Sequence, residues 1–261
     1  MGEQHPATGA ETVDILLVRH GHTADYTDDS GLTERGVEQS LSWGRQFAAG
    51  VPTDQRVALL TGPARRARET AEQARSGLAE GSCVVAPPAT LAGLHNFRVQ
   101  TPSGPQEITE AFPGYLAAAA QLDGGTRPLW IREIDLFWDE QVRGEDPITL
   151  WMRVPLLTFE PPAAVVRRLL AALAGLVRGA SSRTLYVCFT HSGPMRALAA
   201  WALGRDLGEP QNTEVVRARV RRDLSQGWIT YRGATQAYGP TSTLDPEAGW
   251  EAAEAEGRRQ P

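Results

Sequence analysis

Hydrophobic and polar positions along this chain of 261 residues follow two regimes. Short unbroken apolar runs, VDILLV at 13–18, VALLT at 57–61 and TLYVCFT at 184–190, have the length and β-branched content of strands buried on both faces, as in a parallel sheet. Elsewhere apolar positions recur every three or four residues. Val37, Leu41, Gly44 and Ala48 fall between Thr33 and Gly50, and Val165, Leu169, Leu173 and Leu176 follow Pro161-Pro162, so both stretches predict amphipathic helices. Gly62-Pro63 and Ser192-Gly193-Pro194 each follow a strand and place proline where a first helical turn tolerates it; those helices are expected to run to about Ala79 and Leu203.

Weaker signals complete the pattern. Cys83–Ala86 predicts a third short strand and Thr90–Leu94 a fourth, while VVRARV at 215–220 and GWITYR at 227–232 alternate like a closing hairpin. Residues 95–159 lose clear periodicity yet hold Phe97, Phe112, Tyr115, Trp130, Phe137, Trp138, Trp151 and Phe159 among repeated Pro and Gly. That stretch is too apolar for a linker and predicts an inserted cap of short helices and loops. Strands alternating with helices predict an α/β fold, a three-layer sandwich with a mostly parallel sheet and an inserted cap. One domain is expected over residues 13–238, with the cap at 95–159. The ends, 1–12 and the acidic, Gly- and Ala-rich 239–261, are expected to be flexible.

Composition narrows the function classes. Apolar residues make up 41% and charged residues 22%, ordinary for a globular protein, and the net charge of −5 argues against a nucleic-acid partner. No run approaches the roughly 18 apolar residues of a membrane span, and the first residues lack the basic and apolar regions of a secretory signal; a cytoplasmic location and no membrane partner are the expectation. Cys83 and Cys188 sit in apolar stretches and are expected to be reduced core thiols.

In open α/β sheets, ligands bind where strands end and helices begin. Arg19-His20 ends the first buried run, Arg66 follows the second, and His191 ends the later one. Each guanidinium can fork onto two phosphate oxygens, and the helix N-termini after Gly62 and Gly193 add backbone N–H groups. A neutral imidazole is a competent nucleophile near pH 7, and flanking arginines stabilise the charge of an in-line phosphoryl displacement. This scheme calls for no metal and no cofactor, only a small-molecule phosphate ester.

These residues carry a family resemblance. Arg19-His20-Gly21-His22-Thr23, with Leu32-Thr33 through Gln39 behind it, resembles the Arg-His-Gly signature of the histidine phosphatase superfamily, the phosphoglycerate-mutase-like proteins. Pro63 through Ala71 is similar to its second arginine segment, and Thr190-His191-Ser192-Gly193-Pro194-Met195-Arg196 to its second histidine segment. The matches come in the family's order over about 13–94 and 160–235. The resemblance implies a phosphate monoester hydrolase, or a related phosphoryl-transfer enzyme of the mutase kind, with His20 as the phosphorylated nucleophile and Arg19, Arg66 and His191 completing the phosphate pocket.

Two positions depart from the family pattern. Tyr26 stands where an asparagine is common, and Gly93, in Leu91-Ala92-Gly93-Leu94, stands where many members carry the glutamate that protonates the leaving group. Ile131-Arg132-Glu133-Ile134-Asp135 is itself similar to that acidic segment, so Glu133 is the candidate acid if the cap folds back over the pocket. The alternative is a repurposed or inactive member whose anion pocket binds a phosphate or carboxylate ligand, or supports a non-hydrolytic biosynthetic step.

Overall fold

The computed structural model describes residues 11–122, 127–181 and 183–239. Most of both ends expected to be flexible lies outside these residues, although β1 already begins at Thr12. Seven strands form one mixed sheet: β1 (Thr12–Arg19), β2 (Arg56–Thr61), β3 (Ala89–Thr90), β6 (Thr184–Thr190), β7 (Val215–Arg221), β8 (Gly227–Tyr231) and β9 (Ala234–Tyr238), in the order β3-β2-β6-β1-β7-β8-β9. The first four strands in that order run parallel, and β7, β8 and β9 continue antiparallel. The helices are α1 (Glu34–Gly50), α2 (Arg65–Glu80), α3 (Ile108–Ala119), α4 (Leu129–Arg143), α5 (Pro147–Arg153), α6 (Pro162–Gly179) and α7 (Ser192–Leu203), with α3 to α6 all lying between β3 and β6 along the chain.

The three layers follow from side-chain alternation along the buried strands. Leu16 and Val18 of β1 face a cluster with Ala48 of α1 and Ala71, Ala74 and Leu78 of α2. Val13, Ile15 and Leu17 face the opposite way, into a larger core built on α6 and α7. The buried stripe of α1 is Gly36, Ser40, Gly44 and Ala48, rotated by one residue from the Val37-Leu41 line at its start. Small residues occupy it because α1 and α2 pack backbone to backbone: a Cβ on Gly44 would run into the carbonyl of Ala74.

Two local expectations are corrected. Residues 83–86 form no strand; the third strand is the two-residue β3, and Ala92–Leu94 is a 3-10 turn rather than a fourth strand. Pro87-Pro88 cannot donate backbone hydrogen bonds, which delays pairing with β2 until Ala89. Val84 is consequently 87% exposed and Cys83 only half-buried, whereas Cys188 is fully buried and its thiol pKa is pushed up by burial.

The cap segment opens with a two-stranded hairpin, β4 (Arg98–Thr101) and β5 (Gly104–Glu107), and continues through α3, α4 and α5. Phe97 stacks on Trp151 at 4.5 Å and meets Phe137 and Phe159 edge-on or offset, giving the cap an aromatic centre continuous with the α6–α7 core. Among the described residues, no helix is long and apolar enough to cross a membrane.

Candidate active site

Sheet register brings the two histidines together. β1 and β6 are adjacent and parallel with Arg19 opposite Thr190, so the next residues, His20 and His191, leave neighbouring strand ends side by side. Their ring centroids are 5.3 Å apart and the planes are inclined by 60°. The His20 N–H donates to the carbonyl of Thr190 (3.0 Å), the Asn212 amide donates to the His20 carbonyl (3.0 Å), and Gly21 N–H donates to Thr70 Oγ1 on α2 (2.9 Å). The turn carrying His20 is therefore tied to three elements.

The imidazoles differ in how they are held. His20 Nδ1 lies 2.8 Å from the Gly21 carbonyl, which can only accept, so Nδ1 carries the proton and Nε2 presents its lone pair. His191 is 1% exposed, and neither ring nitrogen has a hydrogen-bond partner among the described residues. Burial holds both rings well below the usual histidine pKa, and the positive charge of Arg66 pushes the same way on each, joined at His20 by Arg19. Both are neutral near pH 7.

Two arginines flank the pair. Arg66, in the first turn of α2 and 2% exposed, donates from Nη1 to Asp29 (3.0 Å) and Thr109 Oγ1 (3.2 Å) and from Nη2 to Glu107 (3.3 Å), while its Nε has no partner among the described residues. Asp29 also accepts from the Arg65 backbone N–H at 2.5 Å, so its carboxylate caps α2 where Ala64 offers no side-chain cap. Arg19 donates to the Tyr26 hydroxyl (3.0 Å), pairs with Glu209 (3.0 Å) and also meets the Pro210 carbonyl; its Nε likewise has no partner among the described residues. Tyr26, the position that departs from the family pattern, also sets its ring edge-on to His20 at 6.3 Å.

Glu133, the candidate acid, is engaged within the cap. Glu133 is buried on α4, but its carboxylate accepts from the backbone N–H groups of Leu157 and Thr158, both at 2.8 Å, and from Thr158 Oγ1 at 2.5 Å. It braces a cap loop. Gly93 is turned aside as well: a Cβ there would lie 2.6 Å from the Cβ of Ala172 on α6. Glycine at 93 lets that helix approach.

The carboxylate beside the histidines is Glu107. Its Oε1 lies 4.0 Å from His191 Nε2 and accepts from the Asn96 N–H (2.9 Å), and its Oε2 receives Arg66. Burial lifts its pKa above the usual 4.5, against the opposing pull of Arg66. Nothing along the chain singled out Glu107: the β4–β5 hairpin turns at Pro102-Ser103-Gly104, but a turn signal does not say which cap carboxylate is folded back onto the histidines. Glu209, Asp29 and Asn96 were equally silent.

A cavity of about 450 Å³ opens at the histidines, with Arg19, His20, Tyr26, Asn96, His191 and Ser192 at the sheet end. Among the described residues, no three His, Cys, Asp or Glu side chains are grouped to hold a metal ion.

Fold and site together define an α/β protein with a histidine pair at the ends of adjacent parallel strands, set between two arginines. The sequence matches the histidine phosphatase superfamily (branch 1) over residues 15–224, and the chain belongs to that family. It is similar in fold to a structure titled mycobacterial hydrolase 1, at 17% identity and TM-score 0.51, covering 86% of this chain and 99% of that one. It is likewise similar to a mycobacterial glucosyl-3-phosphoglycerate phosphatase in complex with inorganic phosphate, at 18% identity and TM-score 0.51, covering 86% and 98%. No curated protein matches the chain by sequence.

Proposed function

We propose that the protein is a phosphate monoester hydrolase that acts on a small-molecule ester through a phosphohistidine at His20. The observation that carries this reading is His191: a buried ring with two partnerless nitrogens facing His20 is costly unless a polar ligand completes it. A phosphate placed between the rings would receive the His191 N–H and hydrogen bonds from the guanidiniums of Arg19 and Arg66. His20 Nε2 attacks phosphorus, and the P–O bond to the alcohol breaks. Water then attacks the phosphohistidine and releases inorganic phosphate.

Glu107 takes the proton-donor role in this proposal. Burial favours its protonated form, and its Oε1 lies 4.0 Å from His191 Nε2, beside the ring that faces His20. Support from the family is for phosphoryl chemistry as a class, and the glucosyl-3-phosphoglycerate phosphatase shares the fold. Rapid acid-free quenching during turnover tests the mechanism: a base-stable, acid-labile phosphate should appear on His20 and be absent in His20→Ala. Hydrolysis at full rate with no trapped phosphate would overturn it.

A second reading has its own observation. Arg19 and Arg66 are already paired with Glu209, Asp29 and Glu107, three carboxylates against two guanidiniums. Such internal neutralisation also suits a repurposed pocket that binds a phosphate or carboxylate ligand without hydrolysing it. Tight vanadate and phosphate binding with no turnover of any monoester would favour this reading.

A further inference from the structure

The cavity that begins at His20 and His191 continues into the cap, and there its wall changes character. Its far side is formed by Ile108 and Phe112 of α3, Ile134, Phe137 and Trp138 of α4, and Ile148 of α5. Ile134, Phe137, Trp138 and Gln141 are spaced i, i+3, i+4 and i+7, so one helical stripe is turned toward the cavity. Phe112 and Trp138 lie 4.3 Å apart, ring to ring, and form a continuous aromatic surface.

Polar groups on the cap side are either at the mouth or already used. Gln141 and Glu145 are exposed. Asp146 caps α5 through the N–H groups of Ile148 (3.0 Å) and Thr149 (3.2 Å) and is paired with Arg196. A leaving group rich in hydroxyls, or carrying an ammonium and a carboxylate, would lose its water along the isoleucine and phenylalanine stretch, where few polar groups replace it. An apolar ring would instead gain by burial, and about 450 Å³ falls within the size of pockets that enclose small organic ligands.

We propose that the substrate is the monophosphate ester of an apolar, ring-bearing alcohol, its phosphate at the histidines and its ring system against Phe112 and Trp138, rather than a sugar, glycerate or amino-acid phosphate. This rests on the phosphate reading of the histidine pair. It assigns specificity to α3 and α4.

The test compares primary alkyl phosphates of similar leaving oxygen: 2-(1-naphthyl)ethyl phosphate and 2-phenylethyl phosphate against glycerol 3-phosphate and O-phosphoserine. The expected result is kcat/KM for the naphthyl ester at least about 100-fold above either polar ester, since a single methylene-sized contact in an apolar pocket discriminates by roughly 10-fold or more. Trp138→Ala, checked for folding by its thermal melt, should shrink that ratio about 10-fold. Hydrolysis of all four esters at comparable kcat/KM, or preference for the polar pair, overturns the proposal and leaves the phosphatase reading standing. If no ester is hydrolysed, the phosphatase reading fails, and equilibrium binding of the same esters to the unaltered protein decides: about 100-fold tighter binding of the naphthyl ester supports the ligand class, and equal binding overturns it.

Discussion

His20 and His191 face each other across 5.3 Å, close to the spacing of the adjacent strands β1 and β6 that deliver them. The pair needs no loop closure to form. The pairing of Arg19 opposite Thr190 sets it, and the buried core on both sheet faces holds that register.

Loss of either phosphate-facing group should therefore weaken anion binding without dismantling the sheet. Arg66→Ala and His191→Ala are each expected to cost about 1.5–3 kcal/mol in binding of inorganic phosphate or vanadate, the usual worth of one charge-assisted hydrogen bond to a desolvated anion. Titration calorimetry on the two variants measures this. Affinities equal to that of the unaltered protein would mean the anion sits elsewhere.

The two glutamates should separate by leaving group. Glu107→Gln is expected to slow hydrolysis of alkyl phosphates, which need a proton on departure, by roughly 10²–10⁴-fold, and that of p-nitrophenyl phosphate much less. Glu133→Gln should leave the ratio of the two rates unchanged and lower the melting temperature instead, because it weakens the acceptor of the Leu157 and Thr158 N–H groups. An unchanged rate ratio in Glu107→Gln would remove it from the chemistry.

Neutral buried histidines also predict an acid-side loss of stability. His20 and His191 have folded pKa values below the usual 6.5, so between those values and 6.5 the unfolded chain binds protons that the native state refuses. Their contribution is fully present above about pH 6.5 and falls as pH drops through that window, by about 1.4 kcal/mol per pH unit for each ring. Glu107 acts with the opposite sign: its raised pKa contributes stability below 4.5 that is lost as pH rises through the folded value. Urea midpoints from pH 7 to 5 should fall in the unaltered protein and flatten in a His20→Ala, His191→Ala double variant. Parallel curves for both proteins would contradict the assignment.

Glu209 is expected to restrain phosphate binding by competing for Arg19. The pair is partly exposed, so the effect is modest: Glu209→Gln should tighten phosphate binding about fivefold at low ionic strength, with the gain shrinking as salt is raised. Weaker binding in this variant would show that Glu209 positions Arg19 for the ligand instead of competing with it.

The strands carrying His20 and His191, and the segment leading to Arg66, were legible in the sequence because buried parallel strands are continuous apolar runs whose ends stand out against the loops that follow. The hairpin at 215–232 was legible from its alternation, although β9, with three exposed residues in five, gave no such contrast. The segment at 83–90 misled because Cys83-Val84-Val85 has strand-like composition, while two prolines decide where pairing begins.

What the sequence determined by itself was the set of groups at the strand ends, since each buried strand is an unbroken apolar run and the residues that follow it mark where it stops. Which carboxylate joins them was decided only by tertiary structure. Glu133 sits in a segment that looks acidic and site-like, yet helical phase turns it onto the Leu157–Thr158 loop. Glu107 carries no distinguishing pattern, yet the β4–β5 hairpin sets it beside His191 and Arg66. Arg19 and Glu209 are likewise 190 residues apart in the chain and 3.0 Å apart in space. Such contacts depend on the packing of whole elements against one another, and neither periodicity nor spacing along the chain encodes where a single oxygen comes to rest.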